Sequence, residues 1–191
     1  GMDHRIGPYF LKASVGFGGS CFQKDILNLV YLCKYYDLDD VAEYWLQVVK
    51  INTYQKKRFA QKIIDHFGGD LAGKTIAILG WAFKANTNDS RESASILVAE
   101  KLYNAGANIE VFDPKINSKR IENDINFYWK SNFEEVNKKL VINTELKFEG
   151  DIDAYAILTE WNHFKDIDIS KSKVFDGRGI IKGSYFSIGK T

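Results

Sequence analysis

The sequence predicts an α/β protein, in which a helical region with one long helix, residues 1–69, precedes a Rossmann-like domain with a parallel sheet, residues 70–191. Two patterns support this prediction. Residues 41–67 keep apolar side chains on one helical face, and the chain after Gly73 alternates short apolar runs with helical segments. Alternation of strand and helix is typical of doubly wound parallel sheets, whose faces are covered by helices.

Composition argues against several classes of protein. The net charge of +1 provides no electrostatic footprint for nucleic acid or for an anionic membrane. The longest apolar runs are too short to span a bilayer, and no signal peptide opens the chain. Two cysteines and three scattered histidines indicate neither a disulfide framework nor a metal site. We therefore expect a cytoplasmic protein without a metal, a nucleic-acid partner or a membrane partner.

The helical region is predicted to begin with a loop and one amphipathic helix. Residues 1–20 contain Pro8 and several glycines and show no regular period, which is typical of a loop. Ser20 is expected to cap the first helix. The apolar face of that helix consists of Ile26, Leu29, Val30 and Cys33.

A long second helix is predicted from Val41 to about Phe67. Asp39 or Asp40 is expected to cap its start, and the glycine pair at 68–69 supplies its C-terminal stop. At about 26 residues this helix would be roughly 40 Å long, a length that usually braces two domains or two subunits. Its apolar stripe consists of Val41, Trp45, Val48, Val49, Phe59 and Ile63.

Apolar runs in the second region predict the strands of the sheet. The first, KTIAILG at 74–80, is continuously apolar and ends in glycine, as a buried parallel strand does. A helix is expected over 91–104 and a short one near 131–138, with the rest of 115–138 polar and irregular. The remaining strands are expected at 108–114, 139–144, 153–161 and 172–179.

The stretch VGFGGSCFQKD, residues 15–25, is the first candidate for chemistry. Its glycines permit positive φ and close approach of the backbone to a ligand, although tight turns use glycine in the same way. With Ser20 as the cap, Cys21 would lie in the first helical turn, where the helix dipole and Lys24 favour a thiolate nucleophile. Asp25 stands at the spacing that would orient the lysine or a water. The alternative role of a small buried residue suits Cys33 better.

Three cations follow predicted strands. Lys84 and Arg91 come after the first strand and Arg178 after the last. Because ligands bind at the carboxyl ends of strands in such folds, these side chains suit a phosphate or a carboxylate ligand. The alternatives are a solvated basic loop for the first two and a carboxylate partner within the protein for Arg178. The G-x-G-x-x-G pattern of dinucleotide sites is absent after Gly80.

Four stretches in this order resemble the UDP-glucose/GDP-mannose dehydrogenase family. They are FLKASVGFGGSCFQKD (10–25), ILGWAFKANTNDSRES (78–93), TEW (159–161) and FDGRG (175–179). The form SCFQKD is similar to the UDP-glucose branch, whereas the GDP-mannose branch more often has SCLPKD. The resemblance covers the whole chain. It implies a protein with an NAD-binding Rossmann domain, a central helical region with a dimer-forming helix, and a UDP-sugar domain, of which this chain corresponds to the last two.

The resemblance also implies roles for individual residues. Cys21 would be the nucleophile, and Asp25 would position or activate a water. UDP-glucose would be the ligand, NAD the cofactor and a homodimer the assembly, with Arg5 reaching the partner subunit's substrate site. NAD contacts would come from Cys21, Phe22, Gln23, Lys24 and Arg91. UDP-sugar contacts would come from Lys12, Ala13, Ser14, Val15, Gly16, Phe17, Gly18, Phe83, Lys84 and Arg178.

Because the family's NAD-binding domain has no counterpart in these 191 residues, we expect an excised or truncated piece without dehydrogenase turnover of its own. Two alternatives stay open. The first is a non-catalytic module for sugar-nucleotide binding or for dimerisation. The second is part of a dehydrogenase that acts on a UDP-N-acetylhexosamine or on GDP-mannose.

Overall fold

The computed structural model describes residues 1–8, 11–148, 150–168 and 172–189. It confirms an α/β fold in which a helical region precedes a Rossmann-like parallel sheet. Phe10, the first residue of the FLKAS stretch, lies outside the described residues. Within the described ranges, no helix combines the length and the apolar character needed to cross a bilayer.

Two helices form the first region. Helix α1 spans Phe22–Tyr35 and helix α2 spans Asp39–His66. The beginning of α2 packs on α1, whereas Phe59 and Ile63 near its end are buried in the core of the sheet domain. The long helix therefore joins the two regions of the chain. The buried cluster between α1 and α2 consists of Ile26, Val30, Cys33 and Ala42.

The predicted caps of both helices are wrong. Cys21 rather than Ser20 occupies the N-cap position of α1, and its side chain makes no capping hydrogen bond. Leu38 occupies that position in α2, so Asp39 and Asp40 lie in the first turn. There, their negative charge stabilises the helix through its dipole instead of through a side-chain cap.

The glycine stop of α2 is confirmed. The N–H of Gly68 donates to the Asp65 carbonyl at 3.1 Å, and the N–H of Gly69 donates to the Ile64 carbonyl at 3.0 Å. Both glycines have positive φ, which a helix C-terminus commonly requires. At the opposite end of α2, Val41 of the predicted stripe is exposed and Ala42 is buried in its place.

The sheet contains six parallel strands in the order β3-β2-β1-β4-β5-β6. The five predicted strands are confirmed, each shorter than expected. The sixth was missed because it is only two residues long. The strand order reverses between β1 and β4, as in other doubly wound sheets. The strands are β1 Thr75–Leu79, β2 Asn108–Phe112, β3 Leu140–Asn143, β4 Ala154–Ile157, β5 Lys173–Asp176 and β6 Phe186–Ser187.

Helices cover the sheet, and one of them contradicts the prediction that most of 115–138 is irregular. Helix α4 spans Ser118–Tyr128, with the Asn117 side chain accepting a hydrogen bond from the Arg120 N–H at 2.9 Å. Its buried residues are Ile121, Asp124 and Ile125, too few apolar positions to stand out in a polar segment. The other elements are α3 Ala94–Asn104, α5 Phe133–Val136 and a 3₁₀ turn, Asn162–Asp166.

Gly80 at the end of β1 lets Thr159 pack closer to the backbone than a residue with a Cβ would allow. Its φ is +95°, and an added Cβ would clash with the Thr159 side chain and lie 2.8 Å from the Thr159 nitrogen. We expect Gly80→Ala to lower the free energy of unfolding by about 3 kcal/mol. Gly68→Ala is the matched control, because Gly68 also has positive φ but open space around it. It should cost only about 1 kcal/mol. Equal losses in urea unfolding would contradict this packing account.

Candidate functional site

The carboxyl ends of β1, β4 and β5 meet at one edge of the sheet. The β1–α3 loop (residues 80–93), the TEW stretch (159–161) and the loop at 177–179 leave the sheet there. This edge includes the point between β1 and β4 where the strand order reverses. Crevices at such switch points are where open α/β sheets bind ligands. The predicted cations Lys84 and Arg178 therefore belong to loops at the same edge.

Asp113, which the sequence prediction did not single out, organises this edge. It follows β2, is 7% exposed, and accepts five hydrogen bonds on its two carboxylate oxygens. These bonds tie together the chain after β1, after β2 and after β4. The donors are the backbone N–H groups of Trp81, Ala82, Lys115 and Ile116 and the indole N–H of Trp161, at 2.7 to 3.1 Å.

Arg178 is held by two carboxylates. The buried Asp176 side chain accepts from the N–H groups of Arg178 at 2.9 Å and Gly179 at 2.8 Å, which fixes the loop. The Arg178 guanidinium pairs with Glu160, and its side chain is only 17% exposed. Glu160 also accepts from the Ala85 N–H at 3.3 Å. Glu160 thus links the β1–α3 loop to Arg178. It is the carboxylate partner within the protein that the sequence analysis gave as the alternative for Arg178.

The cysteine loop, residues 12–21, runs across the same edge. Val15 is fully buried, and a Cβ added at Gly177 would clash with its side chain. Lys12 and Ala13 are exposed. The structure therefore brings part of the predicted substrate segment next to the loop that carries Arg178.

The glycines of the cysteine loop make room for protein neighbours. A Cβ at Gly18 would lie 2.5 Å from the Glu92 carbonyl oxygen, and one at Gly19 would lie 3.0 Å from the Phe83 ring. The Gly19 N–H donates to the Arg91 carbonyl at 2.7 Å. These approaches explain why the loop is rich in glycine, and they dock it on the β1–α3 loop.

Asn52 anchors the cysteine loop from α2. Its side-chain oxygen accepts from the Phe17 N–H at 2.9 Å, and its amide nitrogen donates to the Phe17 carbonyl at 3.0 Å. The residue is 4% exposed. Sequence reasoning missed it, although a polar residue within the apolar stripe of a long helix was a usable indication.

Cys21 lies at the start of α1 with an exposed side chain, and its sulfur is 3.5 Å from the Ser20 hydroxyl. Lys24, expected to activate it, pairs with Asp25 at 3.7 Å, and both side chains are exposed. Lys84 is also exposed, with its ammonium 5.5 Å from the centre of the Phe83 ring.

Arg91 borders a cleft of about 580 Å³ beside Cys21, whose lining includes Gln23, Lys24 and Arg120. The Arg91 guanidinium makes two hydrogen bonds to Asp89, at 2.9 and 2.8 Å. This carboxylate raises the pKa of Arg91, with a smaller contribution from a Cys21 thiolate. A cation thus faces the region of the thiol.

Arg5 is separate from this group. Its guanidinium pairs with Asp3 at 2.7 Å, and its side chain is 78% exposed. In the part of the chain that the structure describes, no three His, Cys, Asp or Glu side chains gather as a metal site would require. A larger cavity, of about 1100 Å³, lies near the amino ends of β4 and β5, away from the switch point.

Alkylation tests the contrast between the two cysteines. Cys21 is exposed, whereas Cys33 is buried between α1 and α2. Because the accessible thiolate is the reactive species, we expect iodoacetamide at neutral pH to modify Cys21 at least about tenfold faster than Cys33. Peptide mass spectrometry of one sample provides both rates. Equal or reversed rates would contradict the structure.

The sequence matches a known family over both regions. Residues 77–183 match the UDP binding domain of the UDP-glucose/GDP-mannose dehydrogenase family, and residues 1–54 match the central domain of that family. The chain belongs to this family. The resemblance inferred from its motifs is thereby confirmed.

Relatives within the UDP-glucose/GDP-mannose dehydrogenase family match nearly the whole chain. UDP-glucose 6-dehydrogenase of Pongo abelii is 45% identical over 96% of this chain and 39% of its own length. UDP-glucose 6-dehydrogenase 1 of Glycine max is 42% identical over 100% of this chain and 45% of its own length. The chain therefore spans about two fifths of the length of such relatives.

Solved structures agree with the fold. A UDP-glucose dehydrogenase from the archaeon Pyrobaculum islandicum superposes with a TM-score of 0.74 at 28% identity, covering 99% of this chain and 41% of that one. A GDP-mannose dehydrogenase from Pseudomonas aeruginosa superposes with a TM-score of 0.71 at 23% identity, over 97% and 42% of the two chains. The second likeness bears on the fold alone.

Proposed function

We propose that this chain is the central and UDP-sugar-binding part of a UDP-glucose 6-dehydrogenase, which oxidises UDP-glucose to UDP-glucuronate with two NAD⁺. The observation that carries the proposal is the docking of the cysteine loop on the β1–α3 loop, which puts Cys21 near the edge that carries Lys84 and Arg178. The identity to UDP-glucose 6-dehydrogenases over nearly the whole chain supports the choice of substrate.

The proposed binding roles follow from charge and position. Lys84 and Arg178 bind the diphosphate of UDP-glucose, because guanidinium and ammonium groups match phosphate oxygens. Phe83, next to Lys84 in the β1–α3 loop, is proposed to contact the UDP-sugar as well, and the cysteine loop from Lys12 to Gly18 is proposed to border the sugar. Arg5 reaches the site of a second subunit, which fits its exposed side chain.

The cleft beside Cys21 is the proposed location of the NAD⁺ contacts of this chain. The cleft of about 580 Å³ has the size of a nucleotide site, and Arg91, Arg120 and Lys24 line it together with Glu92 and Asp124. Each of the three cations is paired with a carboxylate, so binding of an anion would require these pairs to rearrange. NAD⁺, when bound, supplies the acceptor for the two hydrides that leave C6 of the sugar. Of this chain, the residues proposed to contact NAD⁺ are Cys21, Phe22, Gln23, Lys24 and Arg91.

The proposed chemistry at Cys21 is covalent. After the first oxidation of C6, the Cys21 sulfur adds to the aldehyde carbon and forms a thiohemiacetal. Loss of the second hydride leaves a thioester at the same carbon. A water positioned by Asp25 then attacks the thioester, the carbon–sulfur bond breaks, and the carboxylate is released. The Lys24–Asp25 pair must open for Asp25 to act, which is inexpensive because both side chains are exposed.

Activity assays and binding assays separate this proposal from its alternatives. The 191 residues contain no dinucleotide fingerprint, so the polypeptide alone is expected to produce no NADH from UDP-glucose and NAD⁺. NADH formation by the purified polypeptide would contradict this. Competition among UDP-glucose, UDP-N-acetylglucosamine and GDP-mannose tests the substrate. A preference for either of the last two would contradict the proposed function.

A homodimer through α2 is the proposed assembly. The observation that favours it is a row of exposed apolar side chains along one side of that helix. Tyr44 is 69% exposed and Ile51 is 65% exposed, large values for such side chains in an isolated domain. Val41 and Tyr54 on α2 are exposed as well, and so are Tyr31 and Tyr35 on α1.

Charge placed in this surface is expected to break the dimer. Light scattering of the polypeptide should show a dimer for the wild type and a monomer for Ile51→Glu, since an unpaired charge is costly in an apolar interface. Gln61→Glu, at an exposed position further along α2, is the control and should remain dimeric. A monomeric wild type, or a dimeric Ile51→Glu variant, would contradict the proposed interface.

A further inference from the structure

Glu92 has an unusual backbone for its residue type. Its φ is +55°, in the left-handed region that residues other than glycine, asparagine and aspartate seldom adopt. Such a conformation persists only where the surrounding structure determines it, and it is common near functional sites. Glu92 lies in the β1–α3 loop, directly after Arg91 and one residue before the Ser93 cap of α3.

Three separate elements hold Glu92. Its side-chain oxygen accepts from the Gln23 amide of α1 at 3.0 Å. Its carbonyl accepts from the Lys56 ammonium of α2 at 2.9 Å, and its N–H donates to the Tyr128 hydroxyl of α4 at 3.2 Å. A Cβ added at Gly18 would also meet this carbonyl, at 2.5 Å. Glu92 therefore joins α1, α2 and α4 to the loop that carries Lys84 and Arg91.

Lys56 strengthens this junction at a buried position. The residue is 5% exposed, so its ammonium is desolvated. Burial lowers the pKa of Lys56, and the Glu92 carboxylate opposes that shift. A small cavity of about 160 Å³ adjoins the junction and is lined by Gln23, Lys56, Glu92 and Tyr128 among others. The junction is thus a polar cluster within the seam between the two regions.

We propose that Glu92 is a positioning residue for Cys21. Gln23 lies two residues beyond Cys21, so the Gln23–Glu92 bond ties the start of α1 to the β1–α3 loop. Because the Gly19 N–H bonds to the Arg91 carbonyl in the same loop, the cysteine is held on both sides. Glu92 thereby fixes the thiol relative to Arg91 and to the ligand-binding edge. The ligand-binding role of that edge rests on the proposed function. The Gln23–Glu92 tether between α1 and the β1–α3 loop does not depend on it.

Side-chain variants of the polypeptide test the tether without ligand. Glu92→Leu and Gln23→Leu remove the bond, whereas Glu92→Gln keeps an oxygen that accepts from Gln23. Hydrogen exchange in residues 17–24 is expected to be roughly fivefold faster in both leucine variants and unchanged in Glu92→Gln. The rate of Cys21 alkylation should fall roughly threefold in the leucine variants and stay at the wild-type rate in Glu92→Gln, because only the leucine variants release the thiol from its fixed position near Arg91.

Two comparisons make the test decisive. Alkylation of Cys33 should stay as slow as in the wild type, which separates loss of the tether from general unfolding. Should Glu92→Leu fail to fold, Gln23→Leu provides the same comparison at a helix surface. Hydrogen exchange and Cys21 alkylation at the wild-type rates in the leucine variants would overturn the proposal. A Glu92→Gln variant that behaves like Glu92→Leu would also overturn it. If the wild type does not bind UDP in a titration, the proposed function is refuted. The outcome of the exchange and alkylation test of Glu92 is unaffected by that result.

Discussion

Replacing Asp113 by alanine is expected to lower the free energy of unfolding by about 4 kcal/mol or more. Five N–H donors would lose their acceptor, and the site is too buried for water to replace it freely. An unpaired buried donor costs about 1–3 kcal/mol, so even partial rearrangement leaves a large loss. The TEW stretch and the β1–α3 loop would separate at the proposed binding edge.

Urea unfolding of three variants measures this effect. Asp113→Asn keeps one accepting oxygen and should lose roughly half as much stability as Asp113→Ala. Asp65→Ala, at an exposed position on α2 whose carboxylate accepts from Gln61 at 2.9 Å, is the control and should change stability by about 0.5 kcal/mol or less. A loss of less than about 1 kcal/mol in Asp113→Ala would correspond to roughly one hydrogen bond. That result would contradict the role assigned to this carboxylate.

Replacing Arg178 by methionine is expected to weaken UDP binding roughly a hundredfold. The guanidinium is mostly buried beside Glu160, so its geometry is fixed before a ligand arrives and little entropy is lost on binding. Methionine keeps the length of the side chain and removes the charge. Calorimetric titration with UDP provides the affinities of wild type and variant.

The controls for Arg178 address charge and folding. Arg58→Met removes an exposed cation of α2, which bonds only weakly to Gln55 at 3.4 Å, and should leave UDP affinity within about twofold. Removal of Arg178 also leaves Glu160 without its cation, so thermal unfolding is measured in parallel. A folded Arg178→Met variant that binds UDP as tightly as the wild type would show that this arginine does not contact the ligand.

The sequence predicted the fold because periodicity reports burial. The continuous apolar run at 74–80 and the helical stripe ending at Ile63 face a core that is buried as expected. Helix α4 was missed because tertiary contacts of two isoleucines stabilise a mostly polar segment. Ser20 failed as a cap because the hydrogen bond of Gly19 to the β1–α3 loop, a long-range contact, determines the backbone just before α1.

The candidate site residues were chosen where a reactive or charged side chain follows a predicted strand or stands at a predicted helix start. Cys21, Lys84 and Arg178 were chosen in that way, and their functional roles stay predictions. Residues that act through hydrogen bonds to distant backbone groups were missed, because their partners are set by the tertiary fold. Asp113 and Asn52 are of this kind, since the bonds of Asp113 to the chain after β1 and after β4, and those of Asn52 to Phe17, join residues far apart in sequence.

The most direct test of the account is to locate UDP on the molecule by nuclear magnetic resonance. Titration of the labelled 191-residue polypeptide with UDP is expected to shift the amide signals of residues 83–85 and 177–179 saturably, because they flank Lys84 and Arg178 at the carboxyl edge of the sheet. Signals from the larger cavity near His66 and His163 should remain unchanged. No shifts at millimolar UDP, or shifts confined to that cavity, would contradict the claim that this chain carries a UDP-sugar site at the switch point.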